Sequence, residues 1–211
     1  YFVGKADLFR KVEAQMFPAF GVAVVDANGD GHDDVVLVGN FSAAEAVHTG
    51  PMDGGVGALL AGDGSGRFMA VPPGESGLWV PYDARGLAVG DYDGDGWSDL
   101  AVGINDGPAM LFHNTGVDGR SGLLVALRGP ESNPTGVGAR VEVTRSDGLV
   151  MVREVRAGGS YLSQHGAALT FGLGHDRGPA RVRVTWPDAT AQTAEALPGE
   201  PVVISWEEGT R

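Results

Sequence analysis

The amino-acid sequence repeats itself. Sliding the chain by 65 residues superimposes Ala19-Phe20-Gly21-Val22-Ala23-Val24-Val25-Asp26 on Ala84-Arg85-Gly86-Leu87-Ala88-Val89-Gly90-Asp91, and the match runs on to Asn40 and Asn105 with ten identities in 22 positions. A duplication of this length restricts the chain to folds assembled from like supersecondary units. Each copy reads apolar strand, acidic glycine loop, apolar strand, with Val35-Val36-Leu37-Val38 and Leu100-Ala101-Val102-Gly103-Ile104 as the β-rich runs after the loops. A third strand and turn follow: Ala58-Leu59-Leu60-Ala61 before Asp63-Gly64-Ser65-Gly66, and Ala109-Met110-Leu111-Phe112 before Asn114-Thr115-Gly116. These align at an offset of 51, so the first copy carries 65 − 51 = 14 extra residues, expected in a surface loop within Phe41 to Gly55.

The loops Asp26-Ala27-Asn28-Gly29-Asp30-Gly31-His32-Asp33-Asp34 and Asp91-Tyr92-Asp93-Gly94-Asp95-Gly96-Trp97-Ser98-Asp99 carry oxygen-bearing side chains at positions 1, 3, 5 and 9. Calcium takes six to eight oxygens at about 2.3–2.6 Å, which alternate residues of a tight loop can turn inward while a glycine at position 6 makes the sharp turn. The expected ligands are Asp26, Asn28, Asp30 and Asp34 with the carbonyl of His32 at one site, and Asp91, Asp93, Asp95 and Asp99 with the carbonyl of Trp97 at the other. An EF-hand would need a glutamate at position 12 and flanking helices, whereas Leu37 and Val102 stand there, inside strands. Plain acidic turns are disfavoured because four carboxylates in nine residues repel one another without a counter-ion, and the arrangement occurs twice. Magnesium is the weaker alternative, since it keeps several waters. The second loop, with one more carboxylate among its ligands, is expected to bind calcium more tightly. Two ions would take the formal net charge from −12 to −8.

Beyond Gly116 the repeat stops and Val117-Asp118-Gly119-Arg120-Ser121 reads as a linker. Arg181-Val182-Arg183-Val184-Thr185-Trp186 alternates with period two, as a half-buried antiparallel strand requires. With Leu123 to Leu127, Ala139 to Thr144, Leu149 to Val155, Leu169 to Leu173 and Val202 to Trp206 this makes about six strands, a sandwich or barrel. The 35 glycines and 12 prolines fit many tight turns and nearly exclude long helices. No apolar run approaches the roughly 18 residues of a membrane span, and 27 acidic against 15 basic residues repel nucleic acid and anionic membranes. Neither is an expected partner. With no cysteine, disulfides, zinc thiolates and cysteine nucleophiles drop out.

The two Asp-x-Asp/Asn-x-Asp-Gly-x-x-Asp copies resemble the FG-GAP or VCBS repeats that form blades of integrin-type β-propellers. The rest resembles the ASPIC/UnbV domain through Ser132-Asn133, Gly138-Ala139-Arg140-Val141, Gly158-Gly159-Ser160-Tyr161-Leu162-Ser163-Gln164, Phe171-Gly172-Leu173-Gly174 and Trp186-Pro187. Repeats followed by this domain resemble the cartilage acidic protein family and its bacterial relatives, which implies extracellular calcium-binding proteins without established catalysis. The expected fold class is all-β: calcium-binding β-propeller blades forming a partial propeller, then a small antiparallel β-sandwich or barrel domain. Residues 1–116 would hold the two repeats plus the end of a preceding blade, and 117–211 the ASPIC/UnbV-like domain. Two copies are fewer than a closed propeller needs. The chain is therefore read as part of a longer polypeptide, or as one whose blade edges pair with other copies in a homo-oligomer or fibre.

Other candidates for chemistry read as structural. His32, His48, His113, His165 and His175 share no metal spacing, Ser163-Gln164-His165 lacks a nucleophile elbow, and Gly62-Asp63-Gly64-Ser65-Gly66 lacks the ending of a phosphate loop. Asn40-Phe41-Ser42 fits the glycosylation sequon. Arg181 and Arg183 share a strand face that is solvated or meets an acidic glycan, while Trp186 and Trp206 read as core anchors. The functional expectation is a non-catalytic calcium-binding adhesion module presenting a protein- or glycan-binding surface, extracellular or on the cell surface, with the periplasm as the alternative place. The rival readings are a structural subunit of an extracellular polymer and an accessory domain of a larger enzyme.

Overall fold

In a computed structural model of the chain, residues 19–39 and 55–207 are described. The first copy's extra residues up to 54, Asn40 of the sequon, His48 and most of the segment read as the end of a preceding blade lie outside them.

Each copy folds into an antiparallel sheet. The first is β1 (Gly21–Val25), β2 (Asp34–Val38), β3 (Ala58–Gly62) and β4 (Phe68–Val71), laid side by side in chain order. The second is β5 (Ala84–Gly90), β6 (Asp99–Ile104) and β7 (Met110–Phe112). A single helical turn, α1 (Pro73–Ser76), leads out of the first sheet and ends on Gly77 in the left-handed region. No helix among the described residues is long and apolar enough to cross a membrane. The period-two pattern does its expected work in β1, where Ala23 and Val25 are buried while Val22 and Val24 face out. With Val36, Val38, Val80, Leu87 and Val102 they form a core shared by the two sheets.

The strand register corrects one expectation. Val35 lies opposite Leu60 and Leu100 opposite Phe112, so the third strands align at 112 − 60 = 52 rather than 51, and the first copy is longer by 65 − 52 = 13 residues. Short alanine- and leucine-rich runs carry no residue that pins the alignment by one position, whereas hydrogen bonding fixes it. β4, which follows the Gly64-Ser65-Gly66 turn, was not expected as a strand; it zips onto β3 over four residue pairs.

The C-terminal part is a sandwich of β10-β9-β12-β13 against β11-β8-β14, built from β8 (Ser121–Arg128), β9 (Arg140–Thr144), β10 (Val150–Glu154), β11 (Leu169–Gly174), β12 (Ala180–Thr185), β13 (Ala191–Ala196) and β14 (Val202–Ser205). Leu123, Val125, Val141, Val143, Phe171, Leu173, Val182, Val184 and Trp186 fill the space between the sheets. Trp206 packs at the margin and donates from Nε1 to Asp188. Two details depart from expectation. There are seven strands, because Ala-Gln-Thr-Ala-Glu-Ala of β13 pairs with β12 along its whole length despite weak strand propensity. The sandwich is also not wholly antiparallel, since β14 runs parallel to β8. Arg181 and Arg183 share the exposed face of β12, where Glu195 lies opposite the first and Glu142 opposite the second. Acidic register neighbours make this a mixed-charge, solvated face rather than a basic patch.

Candidate metal centre

The two acidic loops join β1 to β2 and β5 to β6, and their backbones are built alike. Glycines at loop positions 4 and 6 all have positive φ: Gly29 (70°), Gly31 (94°), Gly94 (82°) and Gly96 (89°). A side chain at any of them would strain the turn. Position 1 accepts the position-6 amide, Gly31 N–H to Asp26 Oδ2 and Gly96 N–H to Asp91 Oδ2, both at 2.8 Å. Position 9 ties the loop to its sheet. Asp34 accepts from Ala27 N (2.9 Å) and Gly62 N (2.8 Å), and Asp99 from Tyr92 N (3.1 Å) and Asn114 N (2.7 Å). Positions 3 and 5 each spend one oxygen on a backbone amide two residues on. Asp30, Asp93 and Asp95 each keep a second carboxylate oxygen for other partners, whereas Asn28 has a single side-chain oxygen.

Burial sets the electrostatics. Asp34 and Asp99 are almost fully enclosed and Asp26 nearly so. Burial pushes the Asp26 carboxyl up to about 6, with Asp30 and Asp34 adding to the rise and the Gly31 amide opposing it. Burial also raises Asp34, and raises Asp95 together with its neighbours Asp93, Asp91 and Asp99. A concentration of carboxylates strained in this direction gains from a cation among them.

The loops differ in what meets their free oxygens. In the second, oxygens of Asp91, Asp93 and Asp99 converge to within 4.8 Å of one another, a donor set that fits a hard divalent ion. Asp95 instead groups with Asp93 and His113. In the first loop an arginine already supplies positive charge: Arg120 Nη1 donates to the carbonyl oxygen (2.8 Å) and Oδ1 (2.7 Å) of Asn28, and stands 3.8 Å from Asp30 Oδ2. Arg145 Nη1 donates to the Asp30 carbonyl at 2.9 Å. Among the described residues no three carboxylates converge at this loop as they do at the other. The His32 ring lies over Gly64 of the β3–β4 turn, and Trp97 is a buried wedge whose ring packs on Gly29 and Gly116.

Comparison with known families follows this division. The FG-GAP-like repeat family matches residues 26–102, the FG-GAP repeat family matches 84–121, and the ASPIC and UnbV family matches 129–210. The chain carries FG-GAP repeats followed by an ASPIC/UnbV domain. Such domains suggest an extracellular-type interaction module. No curated protein matches the chain.

The ASPIC/UnbV domain clasps the FG-GAP repeats through contacts that the sequence did not reveal. Arg153 reaches Asp33 of the first loop at 2.7 Å and the Thr170 carbonyl at 3.1 Å. Gly174 N–H donates to Gly29 O at 2.8 Å, and Gly172 sits so close to Asp26 and Gly29 that a methyl group there would overlap them. Ser98 bonds Thr170 across the same junction. The stretch 158–166 lies along the inner strands of both repeats: Val22 N–H donates to Ser160 Oγ (3.0 Å), Val89 N–H to His165 Nδ1 (3.1 Å), and Gly166 N–H to Val89 O (2.7 Å). The Ser163 hydroxyl donates to Tyr161 O. The partners that meet across the junction lie far apart in sequence, and only three-dimensional pairing identifies them.

Proposed function

We propose that the protein is a non-catalytic, extracellular calcium-binding interaction module. In this reading calcium locks the FG-GAP loops, and through them the ASPIC/UnbV domain, into one surface for a protein or glycan partner. The observation that carries it is the convergence of Asp91, Asp93 and Asp99 oxygens on a glycine-turned scaffold whose position-1 to position-6 contact the first loop reproduces. Bound there, calcium would supply the positive charge that these carboxylates lack. Asp91, Asp93, Asp95 and Asp99 would ligate it in the second loop, and Asp26, Asn28, Asp30 and Asp34 in the first. Among the residues most suggestive of catalysis, the Ser163 hydroxyl and His165 Nδ1 are engaged by backbone groups, which supports a structural rather than a catalytic role.

The second loop is the tighter site in this account, because Arg120 occupies the oxygens of Asn28 that the first would offer. Calorimetric titration of chelator-stripped protein with calcium chloride tests it. A tight event that disappears in Asp93→Ala while the fold is retained is the expected result. Absence of binding, or binding unaffected by that substitution, would overturn the proposal.

A further inference from the structure

We infer that His113 makes the second loop a mixed nitrogen–oxygen site for a borderline divalent cation, of which zinc is the type, with Asp93 and Asp95 as the other ligands. The inference rests on the reading of this loop as a cation site but adds a ligand and a class of metal to it. His113 follows β7, and its Nε2 lies 2.9 Å from Asp93 Oδ2 and 3.8 Å from Asp95 Oδ2. One ligand atom from each of the three residues falls within 4.8 Å of the others. Nitrogen and oxygen atoms bound to zinc at about 2.1 Å in a tetrahedron stand about 3.4 Å apart, so the two nitrogen–oxygen separations need change by only about half an ångström. The oxygens concerned are those that Asp93 and Asp95 do not spend on the amides of Asp95 and Trp97. The Tyr92 ring, 5.5 Å from the imidazole centroid to centroid, flanks the histidine. All three ligands are exposed, which leaves room for water or a partner's ligand in the remaining position.

The duplication supplies an internal comparison. With the third strands offset by 52, the position matching His113 is Ala61, which has no donor, and the first loop already carries Arg120. The capacity therefore belongs to one copy alone. Oxygen-only cages select hard ions, while imidazole favours zinc and its first-row neighbours. Because Asp93 and Asp95 also serve the calcium set, zinc and calcium compete at this loop.

The test is titration of the chelator-stripped full chain with zinc chloride, followed by calorimetry and by proton NMR of the histidine rings. The wild-type chain is expected to bind one zinc whose affinity falls about tenfold or more in His113→Ala and in Asp95→Asn. The His113 ring signals should shift before those of His32, His165 and His175, and zinc should weaken calcium binding. Circular dichroism checks that the variants fold. Zinc uptake equal in wild type and His113→Ala, or no uptake by either, overturns the inference. Zinc binding that requires His113 in a chain with no calcium affinity would sustain it while refuting the calcium reading.

Discussion

A few carboxylates carry most of the energetics of the loops. Asp34 accepts two amides at almost zero exposure, so Asp34→Ala leaves two enclosed N–H groups without partners and should cost about 2–4 kcal/mol in urea unfolding. Asp34→Asn keeps an acceptor and removes a buried charge, and in chelator it should cost clearly less. Asp26 gives a pH dependence with a definite sign. Its folded carboxyl titrates near 6, above its ordinary 3.8, so the folded state holds the proton more tightly. The stability contributed is fully present below about pH 4 and is lost as the pH rises through about 6. Metal-free protein should therefore melt higher at pH 5 than at pH 7.5, and calcium should abolish that advantage by keeping Asp26 ionised; a metal-free melting point that rises between those pH values would contradict this. Arg120→Gln removes the resident cation of the first loop, and calorimetry should then show calcium affinity there increased on the order of tenfold. The candidate oxygen donors of each loop could be grouped from sequence because all lie within nine residues. Arg120, 92 residues from Asn28, and Arg153, 120 from Asp33, were not, because a guanidinium's partner is set by how distant strands pack.

Elements were readable where an apolar run met a glycine or aspartate boundary, as at β1, β2, β5 and β6, and less so where pairing alone makes the strand. β13 is the clearest instance: alanine, glutamine and glutamate favour helix, yet β12 offers a full edge of unpaired amides and carbonyls to it. The offset of the third strands is another, since the backbone amides of Gly62 and Asn114 are held by the carboxylates of Asp34 and Asp99, residues remote from them in the chain. β11 passes the first loop at close range. Gly172→Ala would force its methyl group into Asp26 and Gly29, and by overpacking should lower stability by about 1–3 kcal/mol and expose the junction to protease. Unchanged urea unfolding and proteolysis would show that β11 does not seat on the loop.

At the scale of the molecule, the described residues form two repeat sheets and a sandwich joined over a polar junction, with separate apolar cores on either side. That geometry couples the loops to the sandwich. Arg153 spans the junction, and Arg120, in the segment entering β8, and Arg145, between β9 and β10, reach the first loop. Rigidifying the loops should therefore stabilise more than the repeats. Thermal melts in calcium and in EDTA should differ by several degrees, and the calcium-dependent part should shrink in Asp91→Ala. Through the same coupling, a metal bound in the loops would help fix the sandwich against the repeats. The most direct measurement is a crystal structure grown in calcium, with anomalous data collected to locate the ion. Calcium bound as proposed should give a peak at the second loop about 2.3–2.6 Å from the oxygens of Asp91, Asp93, Asp95 and Asp99. Ordered water alone inside those carboxylates, in calcium-saturated crystals, would contradict it.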